Sequence, residues 1–200
     1  MTEKPKDASA EEKILEAARK VFSKKGYSGT RTRDIAEEAG INLALLNYYF
    51  RSKEKLFEKV MGEKLEKLFG TLIPIIHNEE TTLEEKIASV ASVYIDLLQK
   101  EEGLPLFVLS EIRNNPQRFG DKLKAGRVLR ESVLIKQFQE RRPDIHPMHF
   151  LFSLLGMTIF PFLSKPVFEA SGELNEEMFG MMVEQRKQLI VKWVTAMLEA

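Results

Sequence analysis

Apolar residues recur along this chain at intervals of three and four, with helix start and stop signals between the periodic stretches. No segment alternates with a period of two for long enough to make a strand. The pattern predicts an all-α protein. Ser9 followed by Glu12 reads as a capping box, in which the serine side chain takes one orphan backbone N–H and the glutamate another. It opens a helix with Ile14, Ala18, Val21 and Phe22 on one stripe, ended by Gly26. Residues 1–8 ahead of it carry charge and no apolar stripe, and are expected to be a disordered tail. Thr30 is the expected cap of a short helix with Ile35 and Ala39 at i, i+4 and a stop at Gly40. Asn42 caps the next, which runs to Phe50. Ser52 then opens a longer one through Leu56, Val60, Leu65 and Leu68 toward Pro74.

Thr82 with Glu85 is a second capping box, heading a helix with Ile87, Val90, Tyr94 and Leu98 on one face and broken by Gly103 and Pro105. The segment LPLFVLSEIRNN runs to Pro116, and one helix is expected from about Gln117 to Arg142, before Pro143. PMHFLFSLLGMTIFPFL follows, apolar on nearly all sides, and an amphipathic helix from about Asn175 to Leu198 closes the chain. The longest apolar run, Phe150 to Leu163, is 14 residues long and contains Pro161. A bilayer span needs about 20 apolar residues, so a buried helix is expected and no membrane partner. There is no internal repeat.

The stretch INLALLNYYF, residues 41–50, holds no charge. On a helix at about 100° per residue, Leu46 and Phe50, with Ile41 just ahead, point one way, and Ala44, Leu45, Tyr48 and Tyr49 the other. Two readings of that second face stand at this point: a stripe that packs on another helix, and one that enters a nucleic-acid groove. In a groove Ala44 allows close approach, Leu45 touches a thymine methyl and the phenols reach phosphate oxygens. A short helix, a glycine-containing turn and a second short helix over residues 30–50 is the spacing of a helix-turn-helix. Hydroxyls and cations bracket the second helix: Thr30, Arg31, Thr32 and Arg33 on one side, Lys53 on the other.

Charge adds modestly to this. The net charge of the 200 residues is zero, but residues 1–60 hold 13 Lys/Arg against 10 Asp/Glu and the remainder 17 against 20. That bias suits an amino-terminal module that meets polyanions and a carboxy-terminal one that does not. The absence of cysteine removes thiol nucleophiles, cysteine-held zinc and disulfides, and fits a reducing compartment, with the cytoplasm as the expected location. The amino terminus, MTEKPKDASAEEK, has no apolar h-region of the kind a signal peptide needs. No nucleophile with a paired base, no phosphate-cradling glycine loop and no metal-ligand set is evident, so an enzyme is not expected, nor a cofactor. His146 and His149 lack a third ligand for a metal and are expected to be structural. Arg113 beside Asn114 and Asn115 reads as a solvated loop.

The run GYSGTRTRDIAEEAGINLALLNYYFRSKEKL, residues 26–56, resembles the DNA-binding domain of TetR-family transcriptional regulators: the RDIAEEAGI core, the aromatic pair before Phe50 and the SKE that follows all match the family pattern over about 50 residues. The resemblance implies a three-helix amino-terminal helix-turn-helix domain at residues 9–55, followed by a helical ligand-binding and dimerisation domain at 56–200. It implies a homodimer that binds a palindromic operator as double-stranded DNA, represses, and is released by an apolar small-molecule effector. It implicates Thr30, Leu43, Ala44, Leu45, Asn47, Tyr48, Tyr49 and Lys53 in DNA contact, and Asn42 stands with them at the head of the reading helix. Two positions depart from the pattern: Leu43 stands where the family often has lysine, and Asn47 where it often has tyrosine. The first removes a cationic contact; the second supplies an amide for a phosphate or an adenine edge.

For the effector, Tyr94, Leu98, Phe107, Phe138, Met148, Phe152 and Met157 are the adaptable wall material, though methionine and aromatic residues at helical spacing also make ordinary core. For dimerisation the resemblance points to the last two helices, with Leu151, Leu154, Leu155, Thr158 and Phe162 on one, Gly156 allowing close approach, and Met182, Leu189, Val191, Trp193 and Met197 on the other. The alternative is the same DNA-binding module controlled by a protein partner in place of a small molecule.

Overall fold

In the computed structural model residues 5–101, 103–114, 116–117 and 131–199 are described, and residues 5–8, expected in a disordered tail, are already helical. Among them are nine helices and no strand: α1 (Pro5–Gly29), α2 (Thr32–Glu38), α3 (Leu43–Phe50), α4 (Lys53–His77), α5 (Leu83–Lys100), α6 (Leu104–Asn114), α7 (Val133–Arg141), α8 (Pro147–Ala170) and α9 (Glu176–Glu199). The chain divides into two compact units, one of Met1–Glu66 with Glu101–Phe107, the other of Lys67–Lys100 with Val108–Ala200. The division falls inside α4.

In the first unit Ile14, Ala18, Val21 and Phe22 of α1, Ile35 and Ala36 of α2, Leu46 and Phe50 of α3, and Leu56 and Val60 of α4 are all buried. Arg19 reaches from α1 to Glu63 of α4 at 2.8 Å and pairs also with Glu12. The unit also holds an aromatic cluster of Phe22, Tyr27, Phe57 and Phe107, with ring centroids 4.7–5.7 Å apart for the pairs made by Phe57. Phe107, expected in the effector pocket, therefore belongs to the core of this unit. Glu101 also comes with it, paired to Lys64.

Two caps differ from expectation. The helix is already formed at Pro5, so Ser9 lies within α1 and does not start it. The regular part of α1 does stop at Gly26, whose φ of +65° only glycine adopts freely. Thr30 does not cap α2. Its hydroxyl donates to the Gly26 carbonyl at 2.6 Å, and the cap position falls to Arg31, whose backbone N–H is taken by the Asp34 carboxylate at 3.0 Å. That N–H, and then Lys25 at 3.1 Å, hold the Asp34 carboxyl below its ordinary value. A lowered folded-state value means stability that is fully present above the unfolded carboxyl range and lost as the pH falls through the folded one. Asp34→Ala is therefore expected to lower Tm at neutral pH, with the gap to the wild type closing below about pH 4. Thermal melts of both proteins across pH check it, and a gap that persists at acid pH contradicts it.

In the second unit the Thr82–Glu85 capping box forms as expected, the Thr82 N–H donating to Glu85 at 2.8 Å and the Glu85 N–H to the threonine hydroxyl at 3.2 Å. The single helix expected from 117 to 142 does not form as one piece. Buried Ser132 accepts from the Ile135 N–H at 3.3 Å and starts α7 afresh, while residues 118–130 lie outside the described residues. Gln137 of α7 and the fully buried Lys86 of α5 both donate to the Thr81 carbonyl, tying α7 to the start of α5. α5 packs on α9 and α8.

α8 is the larger correction. Expected to be buried, it is long and apolar enough to cross a membrane by length and composition, and only 22% of its most apolar window is buried within the chain. Leu151, Leu154 and Thr158, expected on a dimer stripe, face the unit's own core. The outward stripe runs instead through Phe152, Gly156, Phe160 and Val167.

Candidate nucleic-acid interface

α3 is only eight residues long, too short to be helical alone, so its cap and its buried side fix it in place. Asn42 accepts the Leu45 N–H on its side-chain oxygen at 2.7 Å, as the sequence predicts for an N-cap. Leu46 and Phe50 anchor the inner side. Opposite them Ala44, Asn47 and Tyr48 are exposed, Tyr48 at 74%, while Leu43, Leu45 and Tyr49 are half-buried. The Tyr48 and Tyr49 rings meet edge to face with centroids 5.3 Å apart, which stiffens the pair.

Cations precede and follow this helix along the chain. Arg31 and Arg33 are exposed at the start of α2 and Thr32 half-buried between them. Arg51, which the sequence did not single out, is exposed at the carboxyl end of α3 with φ of +48°. Its signal was there to find, a cation directly after the apolar run. Thr30 and Lys53 both make contacts within the chain. Thr30 is 2% exposed, with its hydroxyl spent on Gly26. Lys53 donates to the carbonyls of Tyr27 and Thr30, each at 3.1 Å, and its ammonium lies 4.1 Å from the Tyr27 ring centre. It closes the turn between α1 and α2 onto the start of α4, with one N–H left over.

Tyr27 completes that clasp. Its hydroxyl donates to Glu54 at 2.7 Å, and burial, with the Glu54 carboxylate second, pushes the phenol up to about 12. The same bond, as the leading cause, holds the Glu54 carboxyl down. This network ties the turn at the end of α1 to the start of α4, which only Arg51 and Ser52 separate from the end of α3. A charge-free exposed side on a short helix, with cations before it at the start of α2 and directly after it at Arg51, suits a helix that meets bases while neighbouring residues meet phosphates.

In the second unit the residues expected to line a pocket differ widely in burial. Phe138 stacks on Phe150 with centroids 4.6 Å apart and both are buried; Leu98 is buried; Met148 and Phe152 are exposed. Tyr94 and Met157 are half-buried, burial pushing the Tyr94 phenol up to about 12 and the Met157 carbonyl accepting from Arg186 at 2.6 Å. His146 is the N-cap of α8, its Nδ1 accepting the Met148 N–H at 3.2 Å, and His149 is exposed. Arg113 is exposed on α6, and Asn115 lies outside the described residues.

Of the residues expected at a dimer contact, Leu155, Phe162, Leu189 and Val191 are half-buried, and Met182, Trp193 and Met197 exposed.

Residues 14–60 match the family described as bacterial regulatory proteins, tetR family. The HTH-type transcriptional repressor KstR2 of Mycolicibacterium smegmatis is 32% identical over 151 residues, 69% of this chain and 70% of that protein. The HTH-type transcriptional regulator RutR of Escherichia coli is 30% identical over 197 residues, 90% of this chain and 88% of that one. Among solved structures, Salmonella enterica GusR superposes along the whole of both chains with a TM-score of 0.61 at 16% identity, a likeness of fold. With a helix-turn-helix built as above and relatives of this similarity, the chain belongs to the TetR family of non-enzymatic, DNA-binding transcriptional regulators.

Proposed function

We propose that this protein is a homodimeric repressor, in which two copies of α3 enter successive major grooves of a palindromic operator and a small apolar effector held by the second unit releases it. The observation that carries the DNA half is the outward side of α3: Ala44, Asn47 and Tyr48 are exposed without a charge among them, with exposed Arg31 and Arg33 preceding them in the chain and exposed Arg51 following. Leu45 and Tyr49 flank that strip, and Leu43 with Asn42 heads it. Support for the dimer comes from the outward apolar stripe of α8 and from Met182, Trp193 and Met197 of α9. Half-sites on one side of the duplex have centres about 34 Å apart, so a small change in the separation of the two α3 helices abolishes the fit. That is the lever we assign to the effector, with Tyr94 and Met157 as the first positions to test for contact.

The deciding experiment is selection from a random DNA pool with the purified protein. Enrichment of a palindrome is expected, and enrichment of no motif overturns the proposal. A second experiment separates phosphate from base contacts. Lys53→Ala is a poor choice for it, since that change also loosens the turn that Lys53 closes. Arg33→Ala is cleaner. It is expected to weaken cognate and scrambled DNA alike and to reduce the slope of log affinity against log salt by about one per copy. Loss confined to the cognate sequence contradicts the assignment.

A further inference from the structure

α3 carries one side chain able to read a base by two hydrogen bonds at once. Its residues are Leu43, Ala44, Leu45, Leu46, Asn47, Tyr48, Tyr49 and Phe50, with no Lys or Arg. The commonest specific contact, a cation held by both acceptors of guanine, is therefore absent from the reading helix itself. Asn42 at its head is spent, its side-chain oxygen accepting the Leu45 N–H. A phenol offers a single hydroxyl. Asn47 alone presents an acceptor and a donor side by side; it is exposed, and its amide has no hydrogen-bond partner among the described residues. Ala44, one turn earlier, places nothing bulkier than a methyl beside it.

The geometry points to Asn47 as the residue that reads an adenine in each half-site. Adenine shows the major groove an N7 acceptor and an N6 donor, the complement of the amide's Nδ2 donor and Oδ1 acceptor. Guanine shows two acceptors there, so an amide satisfies one bond and leaves its oxygen facing another oxygen. The inference rests on α3 being the groove-reading helix. It adds the base, and so predicts an operator in which an A·T pair is the position of strongest preference on the Asn47 side.

The test uses the full-length protein on the sequence it selects. Asn47→Ala leaves the fold intact, because the side chain is exposed and unpartnered and alanine is the better helix former. Affinity for the selected site is expected to fall about 5- to 150-fold per half-site, with affinity for scrambled DNA and the salt slope unchanged. Replacing one adenine of the site by 7-deazaadenine, which lacks the N7 acceptor, is expected to weaken the wild type by a similar order and Asn47→Ala not at all. Asn47→Arg is expected to select guanine at that position. The inference is overturned if Asn47→Ala weakens scrambled DNA equally and flattens the salt slope, which makes Asn47 a phosphate contact. An unchanged motif from Asn47→Ala overturns it as well, while leaving α3 as the reading helix. Enrichment of no motif by the wild type overturns the groove reading itself.

Discussion

Leu46→Ala is expected to cost the amino-terminal unit about 2–5 kcal/mol and to abolish DNA binding through loss of structure, while Tyr48→Ala leaves stability within about 0.5 kcal/mol and still loses DNA affinity. The two residues are two apart on α3 and lie at opposite extremes of burial, Leu46 at 0% exposure and Tyr48 at 74%. An eight-residue helix has little stability of its own. It is held by one cap, Asn42, and two anchors, Leu46 and Phe50. Removing the first anchor leaves a cavity beneath α3, since Leu46 is fully buried. A domain of this size is stable by only about 5–15 kcal/mol, so the lost part is a large share. Chemical denaturation and a binding titration on the same samples separate the effects. Equal destabilisation by both changes contradicts the assignment of inner and outer sides to α3.

That assignment was legible in the sequence because helical periodicity converts directly into burial. The 100° spacing separated Leu46 and Phe50 from Ala44 and Tyr48, and Asn42 and Gly26 kept the roles their residue types favour. Thr30 was misread for a physical reason. A hydroxyl two residues ahead of a helix competes between the helix's N–H groups and the carbonyls of the preceding turn, and here Gly26 wins, leaving the cap to be made from the other end by Asp34. Ser132 was missed because charged residues before and after it keep helical spacing across the break. Phe107 went to the wrong unit because nothing in sequence spacing tells that residues 101–107 pack with α4's first half. The hardest case is α8. A helix apolar all round has no periodicity to say which side faces its own core, and its Leu151–Leu154–Thr158 stripe was indistinguishable from the Phe152–Gly156–Phe160 stripe beside it.

The second stripe is the interface we propose for the dimer. Phe160→Glu is expected to give a folded monomer, with the dimer dissociation constant raised by at least about 100-fold, since a carboxylate trapped without a partner costs several kcal/mol. Phe160 is 64% exposed within the chain, as is Phe152 on the same stripe, so neither substitution strains the unit's own core. From Phe152 through Gly156 to Leu163 that side of α8 bears no charge, an arrangement rare on a free surface and usual on one that closes against a twofold copy of itself. Loss of the second subunit removes the linked second contact with DNA, and about 10²–10⁴-fold of affinity for the palindrome goes with it, while a single half-site is bound as before. Leu154→Ala is the converse control: buried in the core, it is expected to lower Tm and leave the oligomeric state alone. Sedimentation velocity with binding to whole and half operators measures all of this. A Phe160→Glu protein that still sediments as a dimer moves the interface off α8, and the exposed methionines of α9, Met178, Met181 and Met182, become the next place to seek it.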